Sequence, residues 1–315
     1  MLKKTRISYS VSLILSLVFA IGAAAIRIFL LFSEYDVSLG HFDSGSVLNT
    51  AFFVLIITAA LFFIVPCIFI MKEQELRTTY TDLPTVFSSA FLSVVLFLFA
   101  VFVLIEAFKS EKAGAALVFS LFSSLFALLS VPYYIMRIFE FKPALKAVSV
   151  FSFFPVLLGC SLAFAFYFDS SMYMNSPITL LHQASAIFIA FFSLGECRVI
   201  LNRVLWGLYT FVGFVSFILT FSDSLPLIVY IPSSEAVSYE STASLFLIFA
   251  FSLYIISRIF SVYSLNSTNA QSLISFFKTS YEKRKEDAQI SVECEVEQLP
   301  LDLEGKESNE QDKRE

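Results

Sequence analysis

What most constrains this chain is a series of eight apolar windows, at about 8–32, 47–71, 85–107, 114–136, 147–168, 178–201, 203–221 and 242–264. Each is close to the roughly 20 residues that a helix rising 1.5 Å per residue needs to cross about 30 Å of hydrocarbon. Backbone amides in hydrocarbon must find partners within the chain, which leaves only helices or a closed barrel. Barrel strands alternate in polarity over about ten residues, and these windows do not. The expected fold class is therefore all-α, a polytopic transmembrane helical bundle of about eight spans. Composition agrees: 57% of residues are hydrophobic, where about 45 to 50% is usual for soluble domains.

Basic residues set the expected orientation, because short cytoplasmic loops hold the excess of Lys and Arg. Lys3, Lys4 and Arg6 precede the first window, Lys72 and Arg77 follow the second, and Arg137, Lys142 and Lys146 follow the fourth. Arg198 and Arg203 surround the turn after the sixth, and Lys278 to Lys285 follow the eighth. All fall on one side, which places both termini in the cytoplasm; the opposite segments 33–46, 169–176 and 222–241 hold no Lys or Arg, and only Lys109 and Lys112 break the pattern. The opening MLKKTR, with an apolar run reaching Ala23, Ala24 and Ala25, also resembles a cleavable secretory signal. The run continues through "IRIFLLF", which suits an anchor better.

Three segments are expected. Residues 1–265 form the membrane body and carry equal numbers of acidic and basic side chains, so the net charge of −5 resides in 266–315. Residues 266–285 include "AQSLISFFKTSYEKRK", which reads as an amphipathic helix on the inner membrane surface. Residues 286–315 are acidic and lack aromatics, the composition of a disordered tail. Cys67, Cys160 and Cys197 lie within windows and Cys294 in the tail, so no disulfide framework is implied.

Ionisable groups inside a span are costly and usually face a bundle interior. Arg27, Glu106, Arg137 and Arg258 lie near window ends, where long side chains snorkel to the headgroups, and that reading is favoured for all four. Arg27 fits it least, sitting at an outer end, and a partner for it on another helix is expected in preference to Glu34. The sixth window is the most informative. At 100° per residue His182, Ser185, Ser193, Glu196 and Arg203 fall within about 80° of arc, with Ile189 the apolar member. Such a stripe meets other helices through hydrogen bonds, or it lines a pathway or cavity. Pro66 and Pro155 should kink the second and fifth spans. "YYIMRIF" (133–139) and "YIISRIF" (254–260) share five of seven residues, as equivalent ends in a four-plus-four duplication would; inner helix ends also favour such residues.

The first outer loop, "SEYDVSLGHFDSGS" (33–46), holds Glu34, Asp36, His41 and Asp43, which offer oxygen and imidazole ligands to a divalent cation. The spacing matches neither the calcium-loop nor the H-E-x-x-H pattern. The simpler account is a loop turned at Gly40 and Gly45, with Asp43 or Ser46 capping the next helix. Arg27, Tyr35, Asp36, Gly40, Phe42, Gly45 and Ser46 together resemble the first outer loop of uncharacterised multi-pass membrane proteins of clostridia-type Firmicutes. The resemblance covers about a tenth of the chain. It implies a bacterial cytoplasmic-membrane setting and carries over no functional residue.

Phosphate-cradling glycine motifs are absent, the histidines lie at the outer edge, and "GECR" (195–198) lacks a second glutamate. No cofactor and no catalytic residue is therefore assigned. The basic residues are those topology requires, which argues against nucleic acid as a partner. The partners that fit are the lipid bilayer, a small solute or ion, and a membrane or cytoplasmic protein met through the tail. The readings left are a small-solute or ion transporter or permease component, a non-enzymatic sensor or accessory subunit acting through loop and tail, and an intramembrane enzyme using the outer carboxylates and histidines.

Overall fold

The computed structural model describes residues 2–36, 41–42, 45–70, 83–109, 114–139, 145–168, 176–201, 203–231 and 239–265, within the compact unit Met1–Leu265. The predicted juxtamembrane helix and acidic tail lie outside the described residues. The elements are α1 (Leu2–Ser33), β1 (Tyr35–Asp36), β2 (His41–Phe42), α2 (Val47–Ile70), α3 (Leu83–Lys109), α4 (Ala115–Phe139), α5 (Leu145–Phe151), α6 (Phe154–Phe168), α7 (Pro177–Ile200), α8 (Trp206–Tyr230) and α9 (Tyr239–Leu265). Eight segments are long and apolar enough to cross a membrane, α5 and α6 together making one. The fold is an all-α polytopic bundle.

Six of these segments close a ring. α3 packs on α4, α4 on α6, α6 on α7, α7 on α8, α8 on α9, and α9 back on α3, while α1 and α2 lie against α8. Burial is deepest in three of its members: the α8 and α9 spans are 67% buried and the α7 span 56%, against 28% to 39% for the rest. The ring also explains the two similar heptapeptides without duplication. A four-plus-four repeat would make α1 and α2 equivalent to the fifth and sixth spans, yet α6 and α7 are ring members and α1 and α2 are not.

Two windows differ from their hydropathy boundaries. The seventh extends to Tyr230 instead of ending near 221. "SDSLP" reads as a turn, but the apolar residues after Pro226 continue the helix, and membrane helices tolerate proline where neighbours satisfy the freed backbone. The fifth is broken, as Pro155 can neither donate a backbone bond nor fit the preceding turn. Val156 and Leu157 both donate to the Phe153 carbonyl, and the Ser152 carbonyl is taken by the Cys197 thiol of α7 at 2.9 Å. The break in one span is thus tied to the next.

Close backbone approach fixes α6 against α7. A Cβ on Gly159 would stand 2.7 Å from the Ala190 nitrogen and 2.9 Å from the Ala186 carbonyl oxygen, neither of which can rotate away. Small residues at such contacts let membrane helices pack by dispersion alone. At the outer end, Gly45 takes φ +92°, a conformation that side chains rarely adopt, and the Ser46 hydroxyl accepts from the Asn49 amide at 3.0 Å, capping α2. Gly159→Val should lower the unfolding midpoint of the purified protein sharply, by about 1 to 3 kcal/mol of stability or more. Gly22→Ala, with nothing within 4 Å, should leave it unchanged. Equal midpoints for the two variants would contradict the α6–α7 contact.

Candidate functional site

Glu196 is the point on which the ring converges. It sits near the end of α7, 2% exposed, and receives donors from three other helices. From α4 come the Tyr133 hydroxyl at 3.1 Å and Arg137 Nη2 at 3.0 Å, both to Oε2. From α9 come the Tyr254 hydroxyl at 3.3 Å to Oε2 and Arg258 Nε at 3.1 and 3.3 Å to the two oxygens. From α8 comes the Tyr209 hydroxyl, to Oε1.

Local sequence accounts for this convergence. In an α-helix residues four apart lie on one face, so Tyr133 and Arg137 on α4, and Tyr254 and Arg258 on α9, present the same two donors in the same order. The shared Tyr-x-x-x-Arg of the two heptapeptides is therefore a shared ligand, the carboxylate of Glu196. Gly195 makes room for the third tyrosine: a Cβ there would stand 2.9 Å from the Tyr209 ring. Gly195, Glu196 and Cys197 thus each have a structural part, and Ser193 beside them is buried.

Among the described residues the charges do not balance. Two guanidiniums face one carboxylate, and Arg258 is 0% exposed. Arg258 Nη1 and Nη2 and Arg137 Nε find no acceptor among the described residues. The expectation that Arg258 and Arg27 snorkel is corrected: both are fully buried. Side-chain length allows snorkelling, but the helix faces that carry them point into the bundle. Arg137 is largely buried, at 15% of its side chain, and Glu106 is half-buried.

A second charged level lies toward the other end of α7. His182 Nδ1 donates to both Asp223 oxygens of α8, at 2.9 and 2.8 Å, with both side chains buried and the Phe166 ring 5.2 Å from the imidazole. Arg27 of α1 lies over the Phe52 ring, 5.3 Å from its centroid, and feels the charge of Asp223. The three guanidinium nitrogens of Arg27 meet no acceptor among the described residues, so the partner expected on another helix is not found there, and Asp223, in a segment expected to be a loop, acts on Arg27 only as a nearby charge. Between α1 and α2, β1 and β2 pair Tyr35 with Phe42 and Asp36 with His41. Tyr35 packs on Phe42 and on Tyr230 of α8. Burial pushes the Tyr35 hydroxyl above the usual tyrosine value, Tyr230 and Asp36 push the same way, and Arg27 opposes them.

The sequence-derived stripe therefore divides. His182, Ser185, Ser193 and Glu196 are all buried on one side of α7, and the structure sets charged partners around the first and last. Arg203 is not part of it, because α7 ends at Ile200 and Arg203 is exposed, its amide donating to the Arg198 carbonyl. Of the outer-loop candidates, Glu34 is half-buried and Asp36 exposed, while the His41 side chain and Asp43 lie outside the described residues. Among the described residues no three His, Cys, Asp or Glu side chains gather as a metal site would require. A separate, apolar groove of about 420 Å³ runs between α7 and α8, lined by Phe188, Phe191, Leu208 and Phe211, and shares Tyr209 with the Glu196 cluster.

No known protein family, curated protein or solved structure matches the chain. Fold and site together define a class, the polytopic α-helical membrane proteins with charged residues held inside the bundle.

Removing Glu196 would strand two guanidiniums in a dry interior. Glu196→Ala should destabilise the protein by about 3 to 5 kcal/mol, the usual consequence of breaking a buried pair, and by clearly more than Arg203→Ala, which should be neutral. Denaturation of the two variants in detergent checks this, and similar midpoints would show that the cluster contributes little.

Proposed function

We propose that this protein is a small-solute or ion transporter, or the membrane component of one, in a bacterial cytoplasmic membrane. The observation that supports this reading is the pair of charged levels on one buried side of α7. His182 and Glu196 stand about 21 Å apart along the helix axis at 1.5 Å per residue, so they span most of the hydrocarbon. Ionisable side chains within a membrane are costly to bury and mark solute and ion pathways. Ser185 and Ser193 lie between the two levels on that side, and the Ser185 hydroxyl has no partner among the described residues.

Transport requires water to reach this side of α7 in some state of the protein. With Cys67, Cys160 and Cys294 replaced by alanine and Cys197 by serine, which keeps a donor for the Ser152 carbonyl, Ser193→Cys should react with a small hydrophilic thiol reagent. The reagent is applied to intact cells and to inside-out vesicles. Phe191→Cys, on the exposed face of α7, should stay unlabelled in the lipid. Failure of Ser193→Cys to label from either side, in correctly inserted protein, would overturn the transport reading.

A further inference from the structure

We propose that the Glu196 end of the six-helix ring binds the carboxylate group of a small monovalent solute, held end-on by Arg258. Glu196 leaves part of Arg258 unmatched. A carboxylate offers about four lone-pair directions, and those of Glu196 are filled by three tyrosine hydroxyls, Arg137 Nη2 and Arg258 Nε. Arg258 spends only its Nε on this contact. Its Nη1 and Nη2 are fully buried and meet no acceptor among the described residues. These two nitrogens form the planar end of the guanidinium, a fork that matches the two oxygens of a carboxylate.

Charge selects the same class of ligand. The charged groups acting most strongly on Arg258 are Arg137 and Glu196, so among the described residues the cluster carries one positive charge in excess. One monovalent anion neutralises it, whereas a phosphate dianion would reverse it. A halide would meet the charge but has no second oxygen for the fork. Two buried hydroxyls also lack a partner among the described residues, that of Ser261, one turn beyond Arg258 on α9 itself, and that of Ser89 on α3. α3 is bonded to α9 at this level, where the Thr85 hydroxyl donates to the Ser257 carbonyl at 3.3 Å.

The inference goes beyond transport and does not rest on it. Binding is read in micelles, where nothing crosses a membrane, so its failure leaves the Ser193 labelling result standing, and the reverse holds too. The reporter is built in: Trp206 is the chain's single tryptophan, and its ring centroid lies 5.9 Å from that of Tyr209.

The full-length protein in detergent is titrated with sodium acetate replacing sodium chloride at constant total salt, and both Trp206 emission and the thermal unfolding midpoint are followed. The proposal expects a saturable change in emission and a rise in midpoint. Arg258→Lys keeps a cation beside Glu196 but removes the fork, and should weaken the apparent affinity by at least about tenfold, as loss of charged hydrogen bonds does. Glu196→Gln removes the competing carboxylate and should tighten binding. If Arg258→Lys does not yield folded protein, the Glu196→Gln comparison carries the test alone. No saturable change in either signal of the wild-type protein would overturn the proposal and assign the orphan donors to internal water. A response that neither variant alters would overturn it too, by placing acetate elsewhere.

Discussion

The structure depends on one carboxylate that four helices cannot do without. Taken out of water, each member of the Glu196 cluster would cost several kcal/mol, and mutual attraction in a medium of low polarity offsets this only where the donors around the carboxylate keep their places. That condition acts as a constraint on helix position. α4 and α9 each bring an arginine and a tyrosine four residues apart, so neither can slide along its axis by a turn without losing both contacts. α8 enters the cluster through Tyr209 and is tied to α7 again where Asp223 meets His182 and where the Ser216 hydroxyl donates to the Phe188 carbonyl. Lipid-facing side chains provide no such discrimination, because hydrocarbon outside the bundle is as apolar as the residues that meet it.

The neighbouring features of α7 serve the same end by different physics. Gly159 and Gly195 act through the absence of a Cβ, one admitting the α7 backbone and the other the Tyr209 ring. Cys197 acts through its thiol, which takes up the Ser152 carbonyl where the helix is broken ahead of Pro155. A break at Pro155 would otherwise leave an acceptor unsatisfied in an apolar setting, at a cost of about 1 to 3 kcal/mol. Four consecutive turns of one helix thus position α5, α6, α8 and the two arginine-bearing helices. It follows that α7 moves either with all of them or not at all.

Much of this was legible in the sequence, and the boundary of what was not has physical causes. Span number follows from length and hydropathy, and the buried side of α7 from the 3.6-residue period. Arg27 and Arg258 do not snorkel, although each lies near a span end along the sequence, because the side of the helix on which a residue lies decides whether it can reach water. Asp223 escaped notice because serine, aspartate and proline in "SDSLP" are turn formers in water, and the membrane removes the competing hydrogen bonds that make them so. The repeated heptapeptide held the strongest clue. Its meaning was hidden because repetition alone does not distinguish common ancestry from a common ligand, and only the positions of α1 and α2 outside the ring separate the two.

The two charged levels on α7 raise the question of how they communicate. At about 21 Å, two unit charges in a medium of effective dielectric constant 20 interact by under about 1 kcal/mol, so the state of His182–Asp223 barely alters the charge balance at Glu196. Ile189 and Phe192, both buried, stand between the levels and exclude a continuous chain of polar side chains on that part of α7. Electrostatics therefore leaves the two ends nearly independent. A rigid helix does not: α7 is unbroken from Pro177 to Ile200, and any tilt or rotation that relieves one charged level displaces the other. Coupling between the two ends of the bundle, where it occurs, is carried by the helix as a solid body.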